Sequence, residues 1–193
     1  MKLVFATNNQ YKIKEIQNMA GAHVQLLSLS QVNIREEIPE EEPTLEGNAL
    51  HKARHIYGKT GMDVFADDTG LEVYSLNGEP GVRSARYAGE AKDSSANIDK
   101  LLAALAGQSD RKARFRTVIA LIFQGTEFLF EGIAEGEIIE ERRGTEGFGY
   151  DPVFLPKGYD RTFAEMDLAT KNQISHRSVA FVKLMDFLSQ KEK

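Results

Sequence analysis

Apolar residues fall into two kinds of stretch along the chain, short runs and stripes at helical spacing. Lys2 to Ala6 is a short run that predicts a buried strand. A polar turn follows, and Ile13, Ile16, Met19 and Ala20 then give helical spacing that Gly21 ends. Val24 to Leu29 predicts a second strand, and strand–loop–helix–strand is how an α/β layer opens. Thr44 is placed to cap a helix whose Leu45, Ala49, Ala53 and Ile56 share one face. Val64-Phe65-Ala66 reads as a buried strand running into Asp67-Asp68-Thr69-Gly70, with extended structure resuming over Leu71 to Leu76 before an Asn77-Gly78 turn. Ile98, Leu101, Leu102 and Leu105 follow the i, i+3, i+4, i+7 rule and predict a helix from Asn97 to Ala106. Arg114 to Phe123 is the strongest strand signal, and Phe128 to Phe130 and Ile133 to Ile139 supply antiparallel partners for it. A Gly-rich stretch, Gly144 to Pro152, interrupts regular structure, and Phe181, Leu184, Met185 and Leu188 stripe a last helix. The pattern predicts an α/β fold around a mixed sheet. No composition shift marks a linker, so residues 1–193 read as one domain.

Composition narrows the function more than the fold. The chain has no cysteine, which removes disulfides, thiol nucleophiles and cysteine-held metals together. No apolar run reaches the ~18 residues of a membrane span. The N-terminal run turns polar at Thr7, too early for the apolar region of a signal peptide. A cytoplasmic protein with no membrane partner is the expectation. Lys and Arg number 24 against 29 Asp and Glu, a net charge of -5. Duplex binding draws affinity from neutralising phosphates with excess base, so polymeric nucleic acid is excluded as a main partner. A small anion in a locally basic pocket stays open.

Five segments offer chemistry, each with a plainer alternative. Thr7-Asn8-Asn9-Gln10-Tyr11-Lys12 leads from a strand into a helix, where backbone N–H groups and the positive helix end make a phosphate cradle. It lacks the glycines of a Walker A loop, and an ordinary connection with a solvated lysine is the alternative. Glu36 to Pro43 is an acidic loop that is either a solvated surface or a donor of oxygen to Mg²⁺. Asp67-Asp68-Thr69-Gly70 ends a buried strand, where α/β sheets bind ligands, or is a turn in which Asp caps backbone N–H groups. In Gly147-Phe148-Gly149-Tyr150-Asp151-Pro152 the glycines allow close approach, Phe148 and Tyr150 can stack on a flat base and Asp151 can accept from a ring N–H. A hairpin corner with aromatic packing is the alternative there. Lys171 with Ser175-His176-Arg177 places basic groups at a helix start capped by Ser175, facing outward toward carbonyl or phosphate oxygens; chance clustering is the alternative. His51 and His55 have zinc-helix spacing, but Lys52 stands where the motif needs a glutamate, so both read as surface or partly packed. Asn48 and Lys52 lie one helical turn apart and are placed to face the acidic segments together.

Taken in order, Phe5 to Asn9 with Lys12, Glu46 to Ala49 with Lys52-Ala53, Ala66 to Leu71, Pro80 to Val82 with Ser84 to Tyr87, Gly147 to Pro152, and Ser175 to Arg177 resemble the inosine triphosphate pyrophosphatase family over nearly the whole chain. The resemblance implies a two-lobed α/β fold around a long mixed sheet, an active-site cleft between lobes and a homodimer. It implies Mg²⁺-dependent hydrolysis of ITP, dITP and XTP to the monophosphate and pyrophosphate. It makes Asp68 the proton acceptor and a metal ligand, and Glu40 the other metal ligand, with Glu41 and Glu42 beside it in the same loop. Thr7, Asn8, Asn9, Gln10, Tyr11 and Lys12 match the triphosphate loop and Lys52 a phosphate contact. Thr69 stands where many relatives carry Ser and keeps the hydroxyl. Phe148, Gly149, Tyr150, Asp151, Lys171, His176 and Arg177 match the base-recognition side.

The residue types suit that chemistry. A triphosphate carries about four negative charges, so positioning and charge neutralisation dominate its attack by water. Selectivity rests on the 6-position of the purine, where inosine and xanthosine offer an acceptor and adenine a donor. Donors such as Arg177, His176 or backbone N–H near Gly149 favour the former, because a mismatched base leaves buried polar groups unpaired. Two other readings remain: a nucleotide diphosphatase with a different base preference, and a purine-nucleotide-binding module without turnover.

Overall fold

The computed structural model describes residues 1–20 and 24–191. In chain order these form β1 (Lys2–Phe5), α1 (Gln10–Gln17), β2 (Gln25–Leu27), α2 (Leu45–Thr60), β3 (Val64–Val73), β4 (Pro80–Gly81), α3 (Ser94–Ala104), β5 (Lys112–Phe123), β6 (Thr126–Ile138), β7 (Phe154–Pro156), α4 (Leu168–Ile174) and α5 (His176–Lys191), with short 3-10 turns between them. Among the described residues the strands make a seven-stranded sheet in the order β2-β1-β3-β5-β6-β7, with β4 paired to β3. The pairs β1–β2 and β1–β3 are parallel, while β3–β4 and β6–β7 are antiparallel. This is the mixed sheet with flanking helices that the periodicity predicts.

Internal packing divides the chain into two compact units. Unit 1 comprises Met1–Asp68, Thr117–Gly132 and Arg177–Lys193; unit 2 comprises Thr69–Arg116 and Ile133–His176. Each has its own core. In unit 1, Leu3, Phe5, Ile16, Phe65, Ile119, Leu121, Phe181 and Leu184 are buried together, with the Phe5 and Phe65 rings stacked at 4.3 Å. In unit 2, Leu71, Val73, Ile98, Leu101, Phe115, Phe154 and Phe163 form the corresponding cluster.

Several boundaries differ from the sequence expectations. Helix α1 ends at Gln17 with Asn18 as its C-cap, and the helix stop read at Gly21 lies outside the described residues. The second strand is trimmed to Gln25–Leu27. Of the two readings of Asp67-Asp68-Thr69-Gly70, strand end or turn, neither break occurs: β3 runs unbroken from Val64 to Val73, and a 3-10 turn replaces extended structure over Tyr74–Leu76. Gly70 permits this, since a Cβ there would lie 2.6 Å from the Gly81 carbonyl oxygen of β4. Phe128 to Phe130 and Ile133 to Ile138 belong to one strand, β6, which stops one residue short of the expected Ile139. Helix α3 starts at Ser94 because Asp93 accepts from the Ser95 and Ala96 N–H groups, a cap that the apolar stripe does not reveal.

Candidate functional site

Unit 1 gathers its charged residues where β1 stops. The last β1 pairing is Phe5 with Phe65, so Asp67 and Asp68 lie just past the end of β1 on a strand that continues. Successive residues on a strand face opposite sides. Asp67 accordingly takes Lys12 Nζ at 3.0 Å and Arg177 Nε at 3.0 Å, while Asp68 takes Asn48 Nδ2 at 3.0 Å and Lys52 Nζ at 3.5 Å. Lys52 also donates to Glu40 at 2.6 Å and to the Asp67 carbonyl at 2.7 Å. Arg177 closes a second ion pair with Glu15 of α1.

Helix α2 aims Asn48 and Lys52 inward by ordinary means. Thr44 caps it, accepting from the Gly47 N–H at 3.0 Å, and Leu45, Ala49, Ala53 and Ile56 bury the adjoining face. In the acidic segment Glu41 and Glu42 are exposed, Ile38 is buried, and the half-buried Glu40 reaches Lys52. The loop from Thr7 to Lys12 is organised by Asn9, which caps α1 by accepting from the Tyr11 and Lys12 N–H groups. Thr7 Oγ1 accepts from the Asn9 N–H at 3.2 Å, Asn8 Nδ2 donates to the Glu36 carbonyl at 3.3 Å, and Gln10 and Tyr11 are exposed. Lys12 is thus held on Asp67, not solvated.

Burial and pairing pull the two neighbouring aspartates apart. Desolvation opposes the charged form of Asp67, but Lys12, Arg177 and Lys52 overwhelm it and hold its carboxyl well below the usual range. Burial pushes the Asp68 carboxyl up against the pull of Lys52 and Lys12. Burial lowers the Lys12 ammonium; for Lys52 the same burial is outweighed by Asp68, Glu40 and Asp67, and its pKa is raised. Asp67 is therefore a fixed anion that holds cations, and Asp68 is the better base of the pair.

Glu40 and Asp68 offer oxygen alone, the donor type that Mg²⁺ takes, and a Lys52 ammonium already bridges them. Among the described residues no group of three or more His, Cys, Asp or Glu side chains forms a closed cage. Two carboxylates fit a hard cation that completes its shell with water and phosphate oxygens. His51 is exposed, and His55 is taken by Glu36 at 2.5 Å.

Unit 2 holds a second, different cluster. Asp151 Oδ2 accepts from Lys171 Nζ at 2.7 Å and from the Phe148 N–H at 2.9 Å, and both charged side chains are almost fully buried. Gly147 makes this possible: it has φ +75°, and a Cβ would lie 2.0 Å from Asp151 Oδ2. The Lys171 ammonium lies 5.3 Å from the Phe148 ring centre and 5.5 Å from that of Phe163. His176 stacks on Phe115 at 4.6 Å. Gly149 has φ +61° and open space where a Cβ would be, and Thr69 is half-buried.

Three placements correct the sequence reading. Tyr150 is packed in the unit 2 core with its hydroxyl donating to the Ser84 carbonyl at 2.8 Å, while Phe148 is half-buried. Arg177 and His176 do not face outward; both are buried. Arg177 directs Nε to Asp67 and Nη1 to Glu15, so it organises the buried charge of unit 1. Glu15 was not singled out by sequence; its signal is a carboxylate one turn from Lys12 beside the apolar stripe of α1.

The chain is similar to known proteins along nearly its whole length. The chain is 56% identical to a dITP/XTP pyrophosphatase of Christiangramia forsetii, covering 98% of this chain and 100% of the relative. It is 53% identical to a dITP/XTP pyrophosphatase of Porphyromonas gingivalis, covering 97% of both. Among solved structures, the Ham1 protein of Staphylococcus aureus superposes with a TM-score of 0.89 at 39% identity, covering 99% of this chain and 100% of that one. A HAM1 protein from Coxiella burnetii gives 0.90 at 39% identity, covering 98% and 99%. The Ham1 family model matches residues 3–187, and the chain belongs to the Ham1 family.

Proposed function

We propose that this protein hydrolyses deaminated purine nucleoside triphosphates, dITP, XTP and ITP, to the monophosphate and pyrophosphate. The observation that carries the reading is the Glu40–Lys52–Asp68 arrangement in a chain 56% identical along its length to a dITP/XTP pyrophosphatase. Such a site needs a base and cations together, and binding alone would need only the cations.

Lys12 and Lys52 neutralise the phosphate tail, and the loop from Thr7 to Tyr11 orients it with side-chain and backbone donors. Asp68 orients the attacking water and accepts its proton. Glu40 and Asp68 are the residues that would hold Mg²⁺, which when bound polarises phosphate oxygens and stabilises the pyrophosphate leaving group. Thr69 adds a hydroxyl beside Asp68 in sequence. In unit 2, Phe148 stacks on the base, and Asp151, anchored by Lys171, accepts from a ring N–H. His176 and the N–H groups near Gly149 favour an acceptor at the 6-position. The same reading takes in a homodimer working on a cytoplasmic nucleotide pool, both supported by the family resemblance.

The test is pyrophosphate release across dITP, XTP, ITP, GTP, ATP and dTTP. The first three are expected to exceed the rest by two or more orders of magnitude, as a hydrogen-bonding site allows. Comparable rates on ATP would overturn the selectivity.

A further inference from the structure

We infer that Asn48 is a positioning residue that fixes the distance between the acidic loop and Asp68; the inference rests on the hydrolytic reading above. Asn48 lies in α2 at 2% exposure, and both ends of its amide are engaged. Its Nδ2 donates to Asp68 Oδ2 at 3.0 Å, and its Oδ1 accepts from the Glu42 backbone N–H at 3.0 Å. The orientation is unambiguous. Flipping the amide would set its carbonyl against a carboxylate and its NH₂ against an N–H, losing both bonds.

One planar group therefore ties β3 to the loop that carries Glu40. Glu42 is two residues past Glu40, and the Glu40 side chain is held by Lys52, one turn along the same helix. Both carboxylates are thereby referenced to a single turn of α2. The neutral amide matters, because two like charges must be held near each other without adding a third.

A second observation points the same way. A Cβ on Gly47 would lie 2.8 Å from the Glu42 Cβ and 3.1 Å from Thr44 Oγ1. Gly47 is unfavourable in a helix by propensity, and its absent side chain is the space in which the loop seats. Gly47 and Asn48 together form the socket for Glu42.

The experiment uses Asn48→Asp, Asn48→Ala and Gly47→Ala in the full chain, with dITP turnover, the Mg²⁺ concentration for half-maximal rate, and hydrogen exchange of the Glu42 amide. Asn48→Asp keeps the acceptor for Glu42 but repels Asp68. It should lower kcat about 100-fold with KM little changed, as expected for a small misplacement of reacting groups, while Glu42 stays protected. Asn48→Ala should lower kcat similarly and speed Glu42 exchange about tenfold or more, by loss of a local bond. Gly47→Ala should raise helix stability yet speed Glu42 exchange and raise the Mg²⁺ requirement. The inference is overturned if Asn48→Asp and Gly47→Ala keep wild-type kcat and Mg²⁺ requirement, or if the Glu42 amide exchanges equally in all variants. Failure of the wild type to hydrolyse dITP would instead remove the functional reading, and Glu42 exchange would still decide whether the amide bridge exists.

Discussion

The two packing units bury charge in opposite ways. In unit 1, Lys12, Lys52 and Arg177 meet Glu15, Glu40, Asp67 and Asp68, three cations against four carboxylates. In unit 2, one Lys171 meets one Asp151 beneath aromatic rings. The first set carries an excess carboxylate and so retains an appetite for a cation. The second is balanced, and a balanced buried pair holds shape. On the proposed reading, the first is the place where phosphate chemistry occurs and the second the place where a flat base is recognised.

The comparison breaks most visibly at Asp68. Asp68→Asn should lower turnover by about 10³-fold or more while nucleotide binding persists, since a positioned base supplies rate and not affinity. Turnover near wild type with dITP would remove Asp68 from the role.

Unit 2 should respond in stability. Lys171→Met strands a buried carboxylate and should cost about 3–5 kcal/mol in denaturant unfolding. The double variant Asp151→Asn with Lys171→Met should recover most of that, because no uncompensated charge remains. A double variant as unstable as the single would show that the pair is not the unit being broken.

Smaller effects sharpen the contrast. Lys12→Ala and Lys52→Ala should each weaken ITP binding about tenfold with inosine affinity little changed, by loss of a charge-assisted contact. Equal losses for ITP and inosine in calorimetry would show that neither meets phosphate. Phe148→Ala should do the converse, weakening inosine binding about five- to tenfold through lost stacking, with pyrophosphate binding unaltered.

The strand–helix–strand opening, α2 with its cap, and the long β5 were legible because apolar spacing decides them. The β3 assignment failed at its charged centre. Asp67-Asp68-Thr69-Gly70 reads as a turn or a strand end, and only cations from elsewhere in the chain, Lys12 and Arg177 on Asp67 and Lys52 on Asp68, make those carboxylates acceptable inside a strand. The outward reading of Arg177 failed for the reciprocal reason, since its partners Glu15 and Asp67 are 162 and 110 residues away. The candidate residues of the acid–lysine cluster came together as spacing on α2 suggested, with Asn48 and Lys52 on one face. The two units had no signature in composition because the chain changes unit at Asp68–Thr69, Arg116–Thr117, Gly132–Ile133 and His176–Arg177. These points fall inside strands or at a helix start, where no linker composition is called for.

That pattern of crossing has a consequence for synthesis on the ribosome. Phe181, Leu184 and Leu188 of the unit 1 core, and the guanidinium that pairs with Asp67, all belong to α5, which leaves the exit tunnel after every other element of that core. Until α5 emerges, the nascent chain carries Asp67 and Glu15 without their shared counter-ion, and no contiguous fragment can stand in for the finished half.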